Sequence, residues 1–191
     1  MKPTLDTLQT QLYLANGLGF NDPGDALLKA VLVPSLEKLG IHVIEPFSDK
    51  RLHEKIAPLF KEIDETDSLR IQKLIYQKLR RVIGMHNIDH ITNCDALLFA
   101  MDGGHSADDG GCWEAGFLAG LDYEKKPEKR RPVFCWRTDM RLCEFPETGV
   151  NSMFHAGSEV SGGKVIEGRG TLPKLLEEIR AWHEKLLSSS L

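Results

Sequence analysis

Asp95–Met101 reads DALLFAM. After the leading acid every residue is apolar, and polar and apolar positions do not alternate. A strand with one face in water alternates. A short unbroken apolar run is what a strand covered on both faces of a parallel sheet looks like.

The neighbouring segments fit such a sheet. Upstream, residues 48 to 92 read as mostly helical. Leu69, Ile71, Leu74, Ile75, Leu79, Val82, Ile83 and Met85 give one apolar stripe, and Asp67 or Ser68 is placed to cap its start. Gln11–Ala15 (QLYLA) is a short apolar strand ending at Asn16-Gly17. Asp22–Leu39 has a helical period, which Pro34 is expected to kink or cut short and Gly40 to stop. Ile41–Glu45 (IHVIE) is a second strand. Downstream, a loop holding Asp108-Asp109-Gly110-Gly111 leads into a helix from about Gly111 to Asp122. Pro132–Arg137 is a strand, a loop follows, Lys164–Glu167 is a weak last strand, and Leu172–Leu187 closes as an amphipathic helix. This alternation predicts an α/β fold in one domain spanning 1–191. Its core is a doubly wound, flavodoxin-like sheet of about five mostly parallel strands with helices on both faces.

Composition bounds the function. The chain has 191 residues, 41% of them hydrophobic and 27% charged, as in ordinary soluble domains. A net charge of −4 offers no basic footprint for nucleic acid, and the one basic run, Glu124–Arg131 (EKKPEKRR), reads as an exposed loop. No apolar run is long enough to cross a membrane, and the N-terminus lacks a signal-peptide core, so a cytoplasmic protein is expected. Cys94, Cys112, Cys135 and Cys143 form no CxxC pair and read as reduced thiols.

In an open parallel sheet, ligands bind outside the carboxyl ends of the strands. That rule points to Asn16–Phe20, Asp102–Gly111 and Thr138–Asn151, and to the acids Asp102, Asp108, Asp109 and Glu114. The glycines after the first strand lack dinucleotide spacing, and no phosphate loop is present. Acids without basic partners suit a neutral polyhydroxyl ligand, a cationic transition state or a hard metal ion. No calcium-loop pattern follows Asp109, so no metal or cofactor is expected. His86 and His90 are spaced i,i+4 but show no third ligand in sequence, and read as packing or surface residues. Glu114 reads as a first-turn residue of its helix, where the helix N-terminus would keep it ionised. An ionised carboxylate can attack an anomeric carbon, with a second carboxyl protonating the leaving group. A solvated acid on any helix is the plain alternative.

Five motifs in order resemble the nucleoside 2-deoxyribosyltransferases. They are Tyr13-Leu14-Ala15-Asn16-Gly17; a strand from Cys94-Asp95 to Asp102-Gly103; the block Asp108-Asp109-Gly110-Gly111-Cys112-Trp113-Glu114-Ala115-Gly116; Arg137-Thr138-Asp139-Met140-Arg141; and Val150-Asn151-Ser152-Met153. The resemblance implies cleavage of the N-glycosidic bond of a 2′-deoxynucleoside donor and transfer of the sugar to an acceptor nucleobase. It implies Glu114 as nucleophile, Tyr13 as its orienting partner, and Asp95 and Asp108 as contacts to the base. Asn151 would reach the site of a neighbouring subunit in a homo-oligomer. Asn16, Gly17, Asp102, Gly103, Asp109, Gly111 and Met153 fall among the residues that would line the substrate site. The loop Asn16-Gly17-Leu18-Gly19-Phe20 departs from the family's frequent G-P-x-F, and residues 48 to 66 look like an expansion. A hydrolase with the same nucleophile and a non-catalytic nucleoside sensor are the competing readings. A phosphoriboside hydrolase with a G-G-x-G-T-x-x-E motif fails on spacing, because Gly111 lies only three residues before Glu114.

Overall fold

The computed structural model describes residues 9–104, 106–139 and 149–189. Strand β1 (Gln11–Asn16) leads through a 3-10 turn to helix α1 (Asp22–Leu27), a π turn over Leu28–Leu32 and α2 (Val33–Glu37). Pro34 neither stops nor sharply breaks this run. The wider turn just before it absorbs the position at which proline cannot donate a backbone hydrogen bond. Gly40 follows in the left-handed region (φ 84°), where glycine carries no Cβ penalty, and releases the chain into β2 (His42–Ile44). Two long helices follow, α3 (Lys50–Asp64) and α4 (Leu69–Asn93), then β3 (Ala96–Ala100), α5 (Asp109–Asp122), β4 (Val133–Arg137), α6 (Ser152–Ser161), β5 (Val165–Glu167) and α7 (Leu172–Ser189).

The five strands are parallel in the order β2-β1-β3-β4-β5, which is the flavodoxin-like arrangement. Every residue of β3 is buried, as its unbroken apolar run requires. Period-two alternation then divides β1 and β3 between two cores. Leu12, Leu14, Ala96 and Leu98 pack with α1, α2 and α7; Tyr13, Ala15, Leu97 and Phe99 pack with α4, α5 and α6.

Two expectations change. Helix α6 stands where a loop was expected; its start is capped by Asn151 and its end is closed by Gly162 at φ 85°. The α4 stripe divides: Ile75 and Leu79 are buried against Leu59 and Ile63 of α3, while Leu69, Ile71, Leu74 and Met85 are exposed. The basic run is largely exposed, as expected, and its last two residues anchor it. Arg131 donates to both oxygens of Asp122, at 2.8 Å each, and to the carbonyls of Ile91, Thr92 and Cys94 at the end of α4. Arg130 likewise donates to the carbonyls of Tyr123, Lys125 and Val160. A cation at a helix C-terminus meets the negative end of the helix dipole.

Cys94, Cys112 and Cys135 are free thiols, and Cys143 lies outside the described residues. Among the described residues no helix is long and apolar enough to cross a membrane.

Asp122 is 1% exposed, and its guanidinium partner holds its carboxyl well below the usual carboxylate range. Asp122→Ala strands Arg131 at the junction of α4 and α5. The expected loss is about 3 kcal/mol of unfolding free energy at neutral pH, read by urea denaturation.

Candidate functional site

The carboxyl edge between β1 and β3 is where the strand order reverses, so the loops after these strands diverge and leave a crevice. Each loop is braced by a carboxamide or carboxylate. The Asn16 amide donates to the Leu14 carbonyl and to Glu45 Oε1, both at 3.2 Å, and its Oδ1 accepts from the amides of Leu18 and Gly19. Asp102 accepts from the Thr138 amide and hydroxyl and from the Asp139 amide, tying the loop after β3 to the loop after β4. Gly103 has φ 123°, and a Cβ there would lie 2.7 Å from the Gly17 carbonyl oxygen, so this approach needs glycine. The resulting cleft, of about 260 Å³, is lined by Gly17, Phe20, Asp102, Gly103, Asp108 and Asp109 among others.

Helix α5 starts at Asp109, earlier than its glycines suggest. Asp108 is its N-cap, with Oδ2 accepting from the Gly111 amide at 2.7 Å. Glu114 therefore stands in the second turn, and the first-turn dipole argument for its ionisation does not apply. Its environment is instead set by burial, which raises its pKa above the ordinary glutamate value. Hydrogen bonds from Tyr13 and Asn87 pull it down, and the nearby Asp108 charge pushes it up. The Tyr13 hydroxyl donates to Glu114 Oε1 at 2.8 Å, and the Asn87 amide donates to the same oxygen at 3.1 Å. Among the described residues Oε2 receives no hydrogen bond. Tyr13 is wholly buried; burial first, then the Glu114 charge, push its phenol far above its ordinary pKa, so it stays a donor.

Asn87 was not singled out in the sequence, although a signal exists. It interrupts the four-residue series Ile75, Leu79, Ile83, Asn87, Ile91 on α4, where an apolar residue is due. Its Oδ1 is buried with no partner among the described residues.

Of the other sequence candidates, Gly17, Asp102, Gly103, Asp108 and Asp109 come together at the cleft. Glu114 does not line it, but lies close enough to feel the Asp108 charge. Asn16 is buried beneath the loop it shapes. Gly111 lets α5 rest on β3, since a Cβ there would sit 2.2 Å from the Phe99 ring. Asp95 lies at the opposite, amino end of β3, where its carboxylate accepts from the Gln11 amide at 2.8 Å. Asn151 caps α6, and Met153 is exposed beside an apolar groove shared with Cys112, Ala115 and Phe154. Arg137 is buried with its Nε on the Asp139 carbonyl; Arg141 lies outside the described residues. His86 and His90 do have a third neighbour, the Asp49 carboxylate, which is distant in sequence.

The sequence model of the family described as nucleoside 2-deoxyribosyltransferase matches residues 12–171. The chain belongs to that family. Membership indicates a nucleoside deoxyribosyltransferase-like function, and the matched span contains Tyr13, Asn87, Asp108 and Glu114. Among solved structures, a 2-deoxyribosyltransferase from the psychrotolerant bacterium Bacillus psychrosaccharolyticus is 20% identical, over 78% of this chain and 82% of that one, with a TM-score of 0.48. No curated protein matches the chain.

At this candidate site the Tyr13 hydrogen bond works against burial at Glu114. Carboxylate NMR titration should place the Glu114 pKa above that of an ordinary glutamate. In Tyr13→Phe it should move further up, because a donor to the charged form is lost. A downward move in the variant would contradict this account of the site.

Proposed function

We propose that the protein cleaves the N-glycosidic bond of a 2′-deoxynucleoside through a covalent deoxyribosyl-Glu114 ester and passes the sugar to a second nucleobase. The observation that carries this reading is the one-sided fixation of Glu114: two donors hold Oε1 and leave Oε2 open. In the first step Oε2 bonds to the anomeric carbon as the carbon–nitrogen bond breaks. The departing base keeps the electron pair and takes a proton from solvent in the cleft that Asp108 lines. The fixed carboxylate stabilises the oxocarbenium-like transition state. In the second step a nitrogen of the incoming base attacks the same carbon, the ester bond breaks, and that nitrogen's proton passes to solvent by way of the Asp108 carboxylate. Tyr13 and Asn87 keep the carboxylate charged enough to act in spite of its burial. Asp95, at the far end of β3, has no part in these steps.

A homo-oligomer with shared sites belongs to this reading. The inner face of α5 buries Gly111, Ala115, Leu118 and Asp122. Its outer face shows Trp113, Gly116, Phe117, Gly120 and Leu121 at helical spacing, with Trp113 stacked on Phe117 at 4.8 Å and Leu121 43% exposed. Asn151 and Met153, exposed at the start of α6, would extend to a neighbour's site.

Glu114→Gln should lower the exchange rate about a thousandfold or more, because the covalent step is removed. Intact-mass spectrometry during turnover should show one deoxyribosyl adduct on the wild type and none on the variant. Turnover unchanged in Glu114→Ala would remove Glu114 as nucleophile. Release of base and free sugar without exchange would make the protein a hydrolase, and nucleoside binding without turnover a sensor. Leu121→Glu should shift the assembly towards monomer in light scattering; a monomeric wild type would refute shared sites.

A further inference from the structure

His86 and His90, one turn apart on α4, aim their Nε2 atoms at one oxygen. Asp49 Oδ2 lies 2.9 Å from His86 Nε2 and 3.0 Å from His90 Nε2, and the two nitrogens are 3.1 Å apart. All three side chains are largely buried, with His90 the most accessible at 20%. The carboxylate is aimed as well as placed. Its Oδ1 accepts from the Arg51 and Leu52 amides at the start of α3, which turns Oδ2 towards the imidazoles. None of these residues takes part in the chemistry proposed for Glu114.

Protons alone cannot satisfy this triangle. At neutral pH an aspartate oxygen carries no proton, and each Nε2 carries at most one. If both nitrogens are protonated, the 3.1 Å edge sets two donors against each other. If either is not, its lone pair faces the carboxylate oxygen across about 3 Å. A cation at the centre satisfies all three edges at once. The size of the triangle also identifies a geometry. With metal–ligand bonds of about 2.1 Å, neighbouring ligands of an octahedral ion lie about 3.0 Å apart and those of a tetrahedral ion about 3.4 Å. The observed edges match one face of the octahedron.

We propose that Asp49, His86 and His90 form a three-ligand site for a divalent first-row transition ion. Two neutral imidazoles and one carboxylate suit zinc, cobalt(II) or iron(II) better than calcium or magnesium. Two of the three ligands, Asp49 and His90, border a cleft of about 460 Å³ that His42, Glu45 and Asp89 also line. The ion joins the start of α3 to the last turns of α4 and acts as a cross-link between them. One contact must change. Lys55 Nζ lies 3.2 Å from His86 Nδ1, which carries the proton once Nε2 binds metal. Lys55 is exposed and free to swing into solvent.

The test uses the full, tag-free chain after chelation and dialysis. Zinc is titrated by calorimetry, cobalt(II) by visible absorption, and melting is followed with and without zinc. One equivalent of zinc with micromolar or tighter affinity is expected, with a raised Tm and cobalt d–d bands. His90→Gln and Asp49→Asn should lose both the stoichiometric zinc binding and the Tm rise. Asparagine keeps the cap acceptor, so the second variant leaves the start of α3 intact. Lys55→Gln, which offers an acceptor to Nδ1, should bind at least as tightly as wild type. No saturable zinc binding by the wild type overturns the site, as does equal affinity in the His90 and Asp49 variants or weaker binding by Lys55→Gln. None of these readouts depends on nucleoside chemistry, so the site stands or falls independently of the proposed function.

Discussion

One oxygen, Glu114 Oε1, gathers the parts of the site. It receives a phenol from β1 and an amide from α4, while the carboxylate itself belongs to α5. Burial favours the neutral acid, and a neutral acid is no nucleophile; only the two donors oppose that bias. The constraint reaches back into the sheet. Tyr13 must fall on the α4–α5 face of β1, so its neighbours Leu12 and Leu14 fall on the α1–α7 face.

Apolarity does not set that register. The faces of β1 and β3 are both buried and apolar, so a slip of one residue would cost little hydrophobic free energy there. Polar pins fix the alignment instead. At the amino end Asp95 exchanges hydrogen bonds with Gln11, through its own amide to the Gln11 carbonyl and through its carboxylate to the Gln11 amide. At the carboxyl end Asp102 clasps Thr138 and Asp139, and Asn16 folds the loop after β1 onto itself. Asp95 thus acts on the site from the far end of its strand, by holding Tyr13 opposite Leu97.

This division explains what could be read from sequence. DALLFAM was legible because burial on both faces leaves a local signature, and the parallel sheet with helices on both faces followed from the alternation of elements around it. Ordered motifs singled out Glu114 and Tyr13, which the fold brings into hydrogen-bond contact. The early start of α5 was not legible, because Gly110 and Gly111 are poor helix formers locally and only the packing of Gly111 on Phe99 shows why they are tolerated. Helix α6 was missed for a related reason: Ser152–Ser161 contains three serines and a glycine, and Asn151 reads equally well as a turn residue and as a cap. Asn87 and Asp49 carried no motif. Their partners lie 27 and at least 37 residues away, and such meetings are decided by helix packing rather than by local pattern.

Helix α4 then takes on a meaning its apolar period alone does not give. His86 and Asn87 are adjacent in sequence and about 100° apart round the helix. One looks to α3 and Asp49, the other to α5 and Glu114. A rotation of α4 that relaxed either contact would disturb the other. The C-terminus of the same helix is held by Arg131, whose other partner, Asp122, is the last residue of α5. The α4–α5 pair is therefore fixed at its base by a buried ion pair and at the site by an amide on a carboxylate. Between them Gly111 lets α5 lie directly on Phe99. A side chain at that position would push α5 off the sheet and carry Glu114, less than a turn further on, away from a phenol that cannot follow, because Tyr13 is buried on every side.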